Sequence, residues 1–249
     1  MLSNTRFSIK CIASPVGGVA AAAPEMLCIA EEAGRLWVAG CSEQEWGWVP
    51  RLERESWLGL MHAVELLRVP LVFGRAHADF TLSEGGAVAT KDLTGPDGYS
   101  WRAATSAAVM WSGRHFVQFT VAVVPVGSML FGVIRPDHDV EGGADAFSVD
   151  GHCFYDTNTG SRFPGENDWE GMQTADNQGD CIGMLLDLDQ GSMTVWKNGE
   201  RLGVMVAEGL SGPFCWAVSL YNQGDSARIE SAPLPDEPAA LEVEEAASQ

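Results

Sequence analysis

Residues 179–204 read GDCIGMLLDLDQGSMTVWKNGERLGV. The spacing predicts three antiparallel strands joined by two tight turns. Cys181 to Asp187 forms the first strand, and Asp189-Gln190-Gly191-Ser192 turns the chain. Met193 to Lys197 is rich in residue types that suit a pleated, half-buried surface, so it forms the second strand. Asn198-Gly199 then supplies a two-residue hairpin, in which both central positions need φ > 0 and Asn and Gly tolerate it best. Glu200 to Val206 returns as the third strand.

The same rhythm runs outward from this meander. Strand-like runs fall at Leu71-Phe73, Asp79-Leu82, Ala87-Lys91, Ala107-Trp111, His115-Val124, Met129-Arg135 and His152-Asp156. Beyond the meander they resume at Phe214-Tyr221 and Ser226-Ser231. Gly- and Pro-containing turns separate them, such as Glu84-Gly85-Gly86, Pro96-Asp97-Gly98 and Asn222-Gln223-Gly224. Many short strands with frequent turns, and no alternation of strand with helix, predict an all-β fold, a sandwich or barrel. In HFVQFTVAVV, residues Val117, Phe119, Val121 and Val123 share the face expected to build the core. Trp196 fits either the core or the surface.

Helical periodicity is confined to residues 25–69. Pro24 and Glu25 suit a first helical turn, followed by Met26, Leu27, Ile29 and Ala30 at helical spacing. Gly34 is expected to weaken or end this piece, and Leu36 to Gly40 is too short to assign. Ser42 and Glu45 have the spacing of a capping box, interrupted by Trp46-Gly47-Trp48-Val49-Pro50. Arg51 to Leu67 forms the best helix, with Leu52, Trp57, Leu60, Met61, Val64 and Leu67 on one face and Pro70 ending it. That helix is expected to pack on the flank of the sheets or on its helical neighbour. Pro24, Glu25, Leu27 and Ile29 resemble the start of an F-box, but the later part of that motif does not align.

Composition narrows the classes of function. The chain has 249 residues, 46% of them apolar, with nine Trp and ten Phe to fill a core. Its formal net charge is −19, so nucleic acid and anionic membrane surfaces repel it, and neither is expected as a partner. No apolar run reaches the ~18 residues of a membrane span. Cys11, Cys28, Cys41, Cys153, Cys181 and Cys215 lack metal-ligand spacing and read as reduced, mostly buried thiols of a cytoplasmic protein. Residues 1–24 form a basic, small-residue leader, read as disordered and also compatible with organelle targeting or a weak signal peptide. Pro233, Pro235 and Pro238, with Asp236, Glu237, Glu242, Glu244 and Glu245, mark an acidic tail over 236–249. The β part is expected to span residues 70–235.

The central stretch resembles the signature of the SPRY (B30.2-like) family, which runs GDxIGxxLDLDxGxLxFxxNGxxLG. The likeness extends to Thr81-Leu82-Ser83-Glu84-Gly85-Gly86, Ser112-Gly113-Arg114-His115-Phe116, Phe131-Gly132-Val133, Gly212-Pro213 and Ala217-Val218-Ser219-Leu220-Tyr221. It covers roughly residues 70–232 in the family's motif order. Val117-Gln118 and Val195-Trp196 depart from the family pattern. The resemblance implies two antiparallel sheets packed face to face, concanavalin A-like, and a non-enzymatic module that binds a short peptide or protein surface through loops at one end. By motif position that surface falls on four segments. They are Val69-Pro70 to Arg75; Tyr99, Ser100, Trp101 and Arg102; Arg135, Pro136, Asp137 and His138 onward to Phe147; and Tyr221, Asn222, Gln223 and Gly224. Aromatic and Arg side chains on loops suit interface anchors, and Asn or Gln can bond a peptide backbone. A link to ubiquitin-ligase components, as a substrate-recruiting part, is implied by family association alone.

Chemistry of other kinds finds less support. Asp187 and Asp189 stand two apart, but the ExDxxE motif of laminarinase-like glycoside hydrolases is absent, and both read as strand and turn residues. Asp137-His138-Asp139 reads as a loop rather than a metal site. His152 and Cys153 are neighbours in a strand and point to opposite faces, so they do not form a nucleophile–base pair. No catalytic residue, metal or cofactor is expected. A lectin-like carbohydrate binder, built on a loop aromatic such as Trp101 or Tyr221 with Ca²⁺, is the alternative, and a sandwich glycoside hydrolase comes after it.

Overall fold

The computed structural model describes residues 28–42, 45, 56–92, 100–123, 127–146, 151–164 and 169–232. The leader over 1–24, the helical start at Pro24-Glu25, the N-terminal part of the predicted Arg51–Leu67 helix, Tyr99, Phe147 and the acidic tail lie outside the described residues.

Alternation builds the architecture. β1 (Phe73–Ala76), β2 (Phe80–Ser83), β3 (Val88–Lys91), β4 (Arg102–Ser106), β5 (Arg114–Val121), β6 (Met129–Ile134) and β7 (Cys153–Asp156) come first. β8 (Arg162–Phe163), β9 (Cys181–Asp187), β10 (Ser192–Lys197), β11 (Glu200–Val206), β12 (Cys215–Leu220) and β13 (Ser226–Glu230) complete the set. They form two sheets, one of six strands in the order β1-β4-β12-β6-β7-β8 and one of seven in the order β11-β10-β9-β5-β13-β3-β2. The paired registers are antiparallel throughout. Together the sheets make the expected β-sandwich.

Every second residue of β5 faces inward. Val117, Phe119 and Val121 are wholly buried and join Ile182, Met184 and Leu186 of β9 in the interlayer core. From the opposite sheet come Phe131, Val133, Trp216 and Val218. The Phe119 ring stacks on Phe131 at a centroid distance of 5.1 Å and meets Trp216 edge-on at 6.2 Å.

The meander forms as its sequence dictates. Asn198 and Gly199 both adopt positive φ, 53° and 83°. The Asn198 side-chain oxygen also accepts the Cys181 N–H at 2.8 Å, so the turn is tied to the first residue of β9. Trp196 resolves as buried, 2% exposed, but on the outer face of its sheet, where its ring meets Phe116 edge-on at 5.7 Å.

Two predicted strands move. The run Ala107-Trp111 is a loop that carries an isolated bridge, Met110–Phe214, and the strand lies just before it, at Arg102–Ser106. The small residues Ala103 and Ala104 concealed that strand, because they carry little β-propensity of their own and take their place from burial against both sheet neighbours. The first strand starts at Phe73 rather than Leu71, and the two-residue β8 carried no sequence signal.

Among the described residues the helical part shows α1 (Ile29–Ala39) and α2 (Trp57–Arg68), packed on each other. Gly34 does not end α1, and Leu36 to Ala39 continue it. At the glycine the start of α2 approaches closely: a Cβ there would stand 3.0 Å from the Trp57 carbonyl carbon. Glu31 of α1 accepts the Trp57 N–H at 2.6 Å, and Ser56 accepts the Gly59 N–H at 2.9 Å, so the first turn of α2 is capped twice. The capping box also forms, since Glu45 donates its N–H to Ser42 Oγ at 3.3 Å and its carboxylate accepts the Ser42 N–H at 2.8 Å. Ala63 and Leu67 of α2 share an apolar cavity of about 170 Å³ with Phe116 and Leu185 of the seven-stranded sheet. α2 therefore lies against the outer face of that sheet, as well as against α1.

Trp196→Ala removes a buried ring that packs on Phe116. The expected cost is about 3–5 kcal/mol of unfolding free energy, read from a urea denaturation midpoint with unchanged slope.

Candidate functional site

Strand register decides which predicted residues can meet. β4 and β12 run antiparallel with Arg102 opposite Leu220, so Trp101 and Tyr221 flank the same end of the six-stranded sheet. Their rings lie 5.1 Å apart at 45°. Both are half-buried, while Gln223 and Gly224 just beyond are exposed. Arg102 donates from Nη1 to the carbonyls of Trp101 and Gly143, at 2.9 and 3.0 Å. Its Nε stands 3.5 Å from the Asp79 carboxylate, which also lies 3.3 Å from His77 Nδ1.

The loop after β6 begins at the other end. β12 pairs with β6 so that Cys215 faces Ile134, a strand's length from Tyr221. Arg135 is committed there: its Nη1 donates to the carbonyls of Ser211 and Pro213, at 2.5 and 3.2 Å, and its guanidinium lies 4.5 Å over the Phe214 ring. From Pro136 the loop crosses the outer face of the six-stranded sheet. Val140 and Ala146 are buried there with Leu130, Ile134, Phe154 and Ala217, and Trp101 packs against the same cluster. Arg75 of β1 straps the loop down, donating to the carbonyls of Pro136 and His138 at 2.7 and 3.0 Å and pairing with Glu141 at 2.7 Å. Asp137 is exposed, and His138 is buried with Nε2 3.1 Å from the Ala144 carbonyl. The predicted segments thus form a band across one sheet face that ends at Trp101 and Tyr221, rather than a ring of loops at one end.

Asn222 points inward. It is buried, and both its backbone N–H and its side-chain amide donate to Asp225, at 3.1 and 3.3 Å. It shapes the turn and leaves Gln223 as the exposed amide.

Lys91 was not among the sequence candidates. It stands two residues after Ala89 on β3 and so shares its inner face. The side chain is fully buried, and Nζ donates to the Ser100 carbonyl and, at 2.5 Å, to the Tyr221 carbonyl. Burial pushes the ammonium's pKa below its ordinary value, an effect that Asp79 and Asp225 oppose and Arg102 reinforces. The available sequence signal was a lysine at an inward position of an otherwise apolar strand.

The remaining polar candidates are used by the backbone. Asp187 accepts the N–H groups of Asp189 and Gln190 at 3.0 and 2.9 Å, and Asp189 accepts that of Gly113 at 3.0 Å. Among the described residues no group of three His, Cys, Asp or Glu side chains is placed to hold a metal ion. The five described cysteines are free thiols, but only Cys153 and Cys215 are buried, which corrects the expectation of mostly buried thiols; Cys28, at the N-cap of α1, is exposed.

Residues 116–232 match the family model of the SPRY domain. Over that segment the sequence is that of a SPRY domain, and such domains serve generally as protein–protein interaction modules. The solved SPRY domain of human HERC1 is 19% identical, with 61% of this chain and 92% of that chain covered at a TM-score of 0.49. The PSpry domain of TRIM65 is 17% identical, covering 64% and 89% at a TM-score of 0.47. A human SPRY domain is 15% identical, covering 64% and 98% at a TM-score of 0.45. No curated protein matches the sequence. The matched segment begins within β5, yet β1 and β4 belong to the six-stranded sheet and β2 and β3 to the seven-stranded one. Both sheets are therefore completed by residues N-terminal to the match.

Two outcomes check this geometry. Burial pushes the Cys153 thiol up to about 12 and raises that of Cys215, so a maleimide at neutral pH is expected to label Cys28 and spare both in the folded chain, as peptide mass mapping would show. The Arg75 hydrogen bond holds the Glu141 carboxyl at about 2, below its ordinary 4.5. The ionised carboxylate then favours the folded loop above pH 4.5, and that contribution fades as the pH falls through about 2. A carboxyl ¹³C titration of Glu141 is expected to show a midpoint near 2, moving back toward 4.5 in Arg75→Gln.

Proposed function

We propose that the chain binds a short peptide or a protein surface at the end of the six-stranded sheet where Trp101 and Tyr221 lie side by side. The observation that carries this reading is the pair itself: two half-buried aromatic rings, 5.1 Å apart, on separate loops beside an exposed Gln223. Aromatic rings bring large contact area at a low cost in side-chain freedom, and an adjacent primary amide can bond a peptide backbone. Arg102 supports the platform through Asp79 and the Gly143 carbonyl. Asp137, exposed on the band, extends the surface, whereas Arg135 and Asn222 shape it from within. The domain acts as an adaptor in the cytoplasm rather than as an enzyme. Recruitment of a substrate to a ubiquitin ligase would use the same surface, with the ligase supplied by other components.

Selection of peptides from a random displayed library on the full chain tests this. The selected peptide is expected to bind Trp101→Ala and Tyr221→Ala at least about tenfold more weakly by calorimetry, and to bind Gln190→Ala, in the turn between β9 and β10, unchanged. Selected peptides that bind all three variants equally would place the site elsewhere.

A further inference from the structure

Lys91 is a buried cation with no acid in hydrogen-bond contact among the described residues, and it bridges the two layers. Its strand belongs to the seven-stranded sheet, whereas the carbonyls that receive its ammonium, Ser100 and Tyr221, flank β4 and β12 of the six-stranded sheet. Its backbone holds the same region from the other side: the Lys91 N–H donates to the Asp225 carbonyl at 2.9 Å, and the Lys91 carbonyl accepts the Gly224 N–H at 2.7 Å. One residue therefore fixes the peptide unit before Trp101, the carbonyl of Tyr221 and the far side of the turn after Tyr221. Each ring of the aromatic pair is attached to a backbone segment that ends on Lys91.

We propose that Lys91 is the positioning residue of the binding platform: its ammonium, reaching across the sandwich to the Ser100 and Tyr221 carbonyls, sets the separation of the Trp101 and Tyr221 rings. This rests on the reading of that pair as the partner site. The argument is one of chemistry as well as place. A buried ammonium must be satisfied by acceptors, and the carbonyls of Ser100 and Tyr221 receive it. A methionine of similar length would fill the same volume and bond neither carbonyl, so the two loops would lose their common anchor while the apolar core beneath, with Phe119, Phe131 and Trp216, stays packed. Arg102 cannot substitute, because its guanidinium is already engaged with the Trp101 and Gly143 carbonyls and with Asp79.

The test uses the full chain labelled with 5-fluorotryptophan, with the Trp101 ¹⁹F resonance assigned through Trp101→Phe. In Lys91→Met the Trp101 resonance is expected to shift and its cross-relaxation with the Tyr221 ring to vanish, while the Trp216 resonance stays in place. A Trp101 resonance and Tyr221 contact unchanged in Lys91→Met overturn the proposal. If Lys91→Met loses the Trp216 resonance as well, the wild-type chain decides. Its Lys91 ammonium protons are expected to exchange with water at least about tenfold more slowly than those of a free lysine, and exchange at the free rate overturns the proposal. The library-selected peptide should bind Lys91→Met about tenfold more weakly, and equal affinity would again overturn it. Failure to select any peptide counts against the partner site itself, and leaves the spectroscopic outcomes to judge Lys91.

Discussion

Phe119 of β5 and Phe131 of β6 stack across the space between the two sheets, with Trp216 of β12 closing on the same ring. That contact works only if both strands keep strict alternation, since a slip of one residue would turn each ring out of the core. The remaining architecture follows from it. β5 fixes β9 and β13 by register, β12 fixes β4 and β6, and the strand ends then determine which loops can meet. Trp101 and Tyr221 become neighbours because Arg102 lies opposite Leu220, not because either loop carries its own instruction.

Much of this was legible in the residues, and the reasons differ by element. The meander was plain because Asn198-Gly199 encodes a hairpin geometry and the flanking side chains carry β-propensity. β5 was plain because its inward residues are uniformly large and apolar. β4 was obscured because Arg-Ala-Ala-Thr-Ser has no local preference for a strand and acquires one only from two neighbours far away in sequence. Gly34 misled for a related reason. Its conformational cost within a helix is visible in sequence, whereas the close approach of Trp57 that makes a side chain unwelcome there is not.

The candidate site was legible as residue types and not as geometry. Trp101, Arg102 and Tyr221 could be named from the family pattern, and the sheet brings them together. Arg135 and Asn222 carry equally suitable side chains, but the backbone consumes them: one caps the carbonyls of Ser211 and Pro213, the other folds onto Asp225. Sequence alone does not separate an arginine that waits for a partner from one that holds a loop. Lys91 shows the converse, a surface-type residue placed in the interior, where its ammonium donates to two carbonyls flanking the other sheet.

Several of the chain's cationic groups are spent on internal duties. Arg35, Arg68, Arg75 and Arg228 pair with Glu32, Glu45, Glu141 and Glu84, Arg135 serves backbone carbonyls, and Lys91 is sealed between the sheets. Each pairing cancels locally, and the excess of 34 acidic over 15 basic residues remains to set the field outside. A molecule approaching this one therefore feels a negative potential before it reaches the Trp101 and Tyr221 rings. Basic partners are drawn in faster and acidic ones turned away, and dissolved salt weakens both effects. At the proposed Trp101–Tyr221 site, discrimination among partners would thus begin during diffusion, as a difference in arrival rate, and the fit would act on a population already sorted by charge.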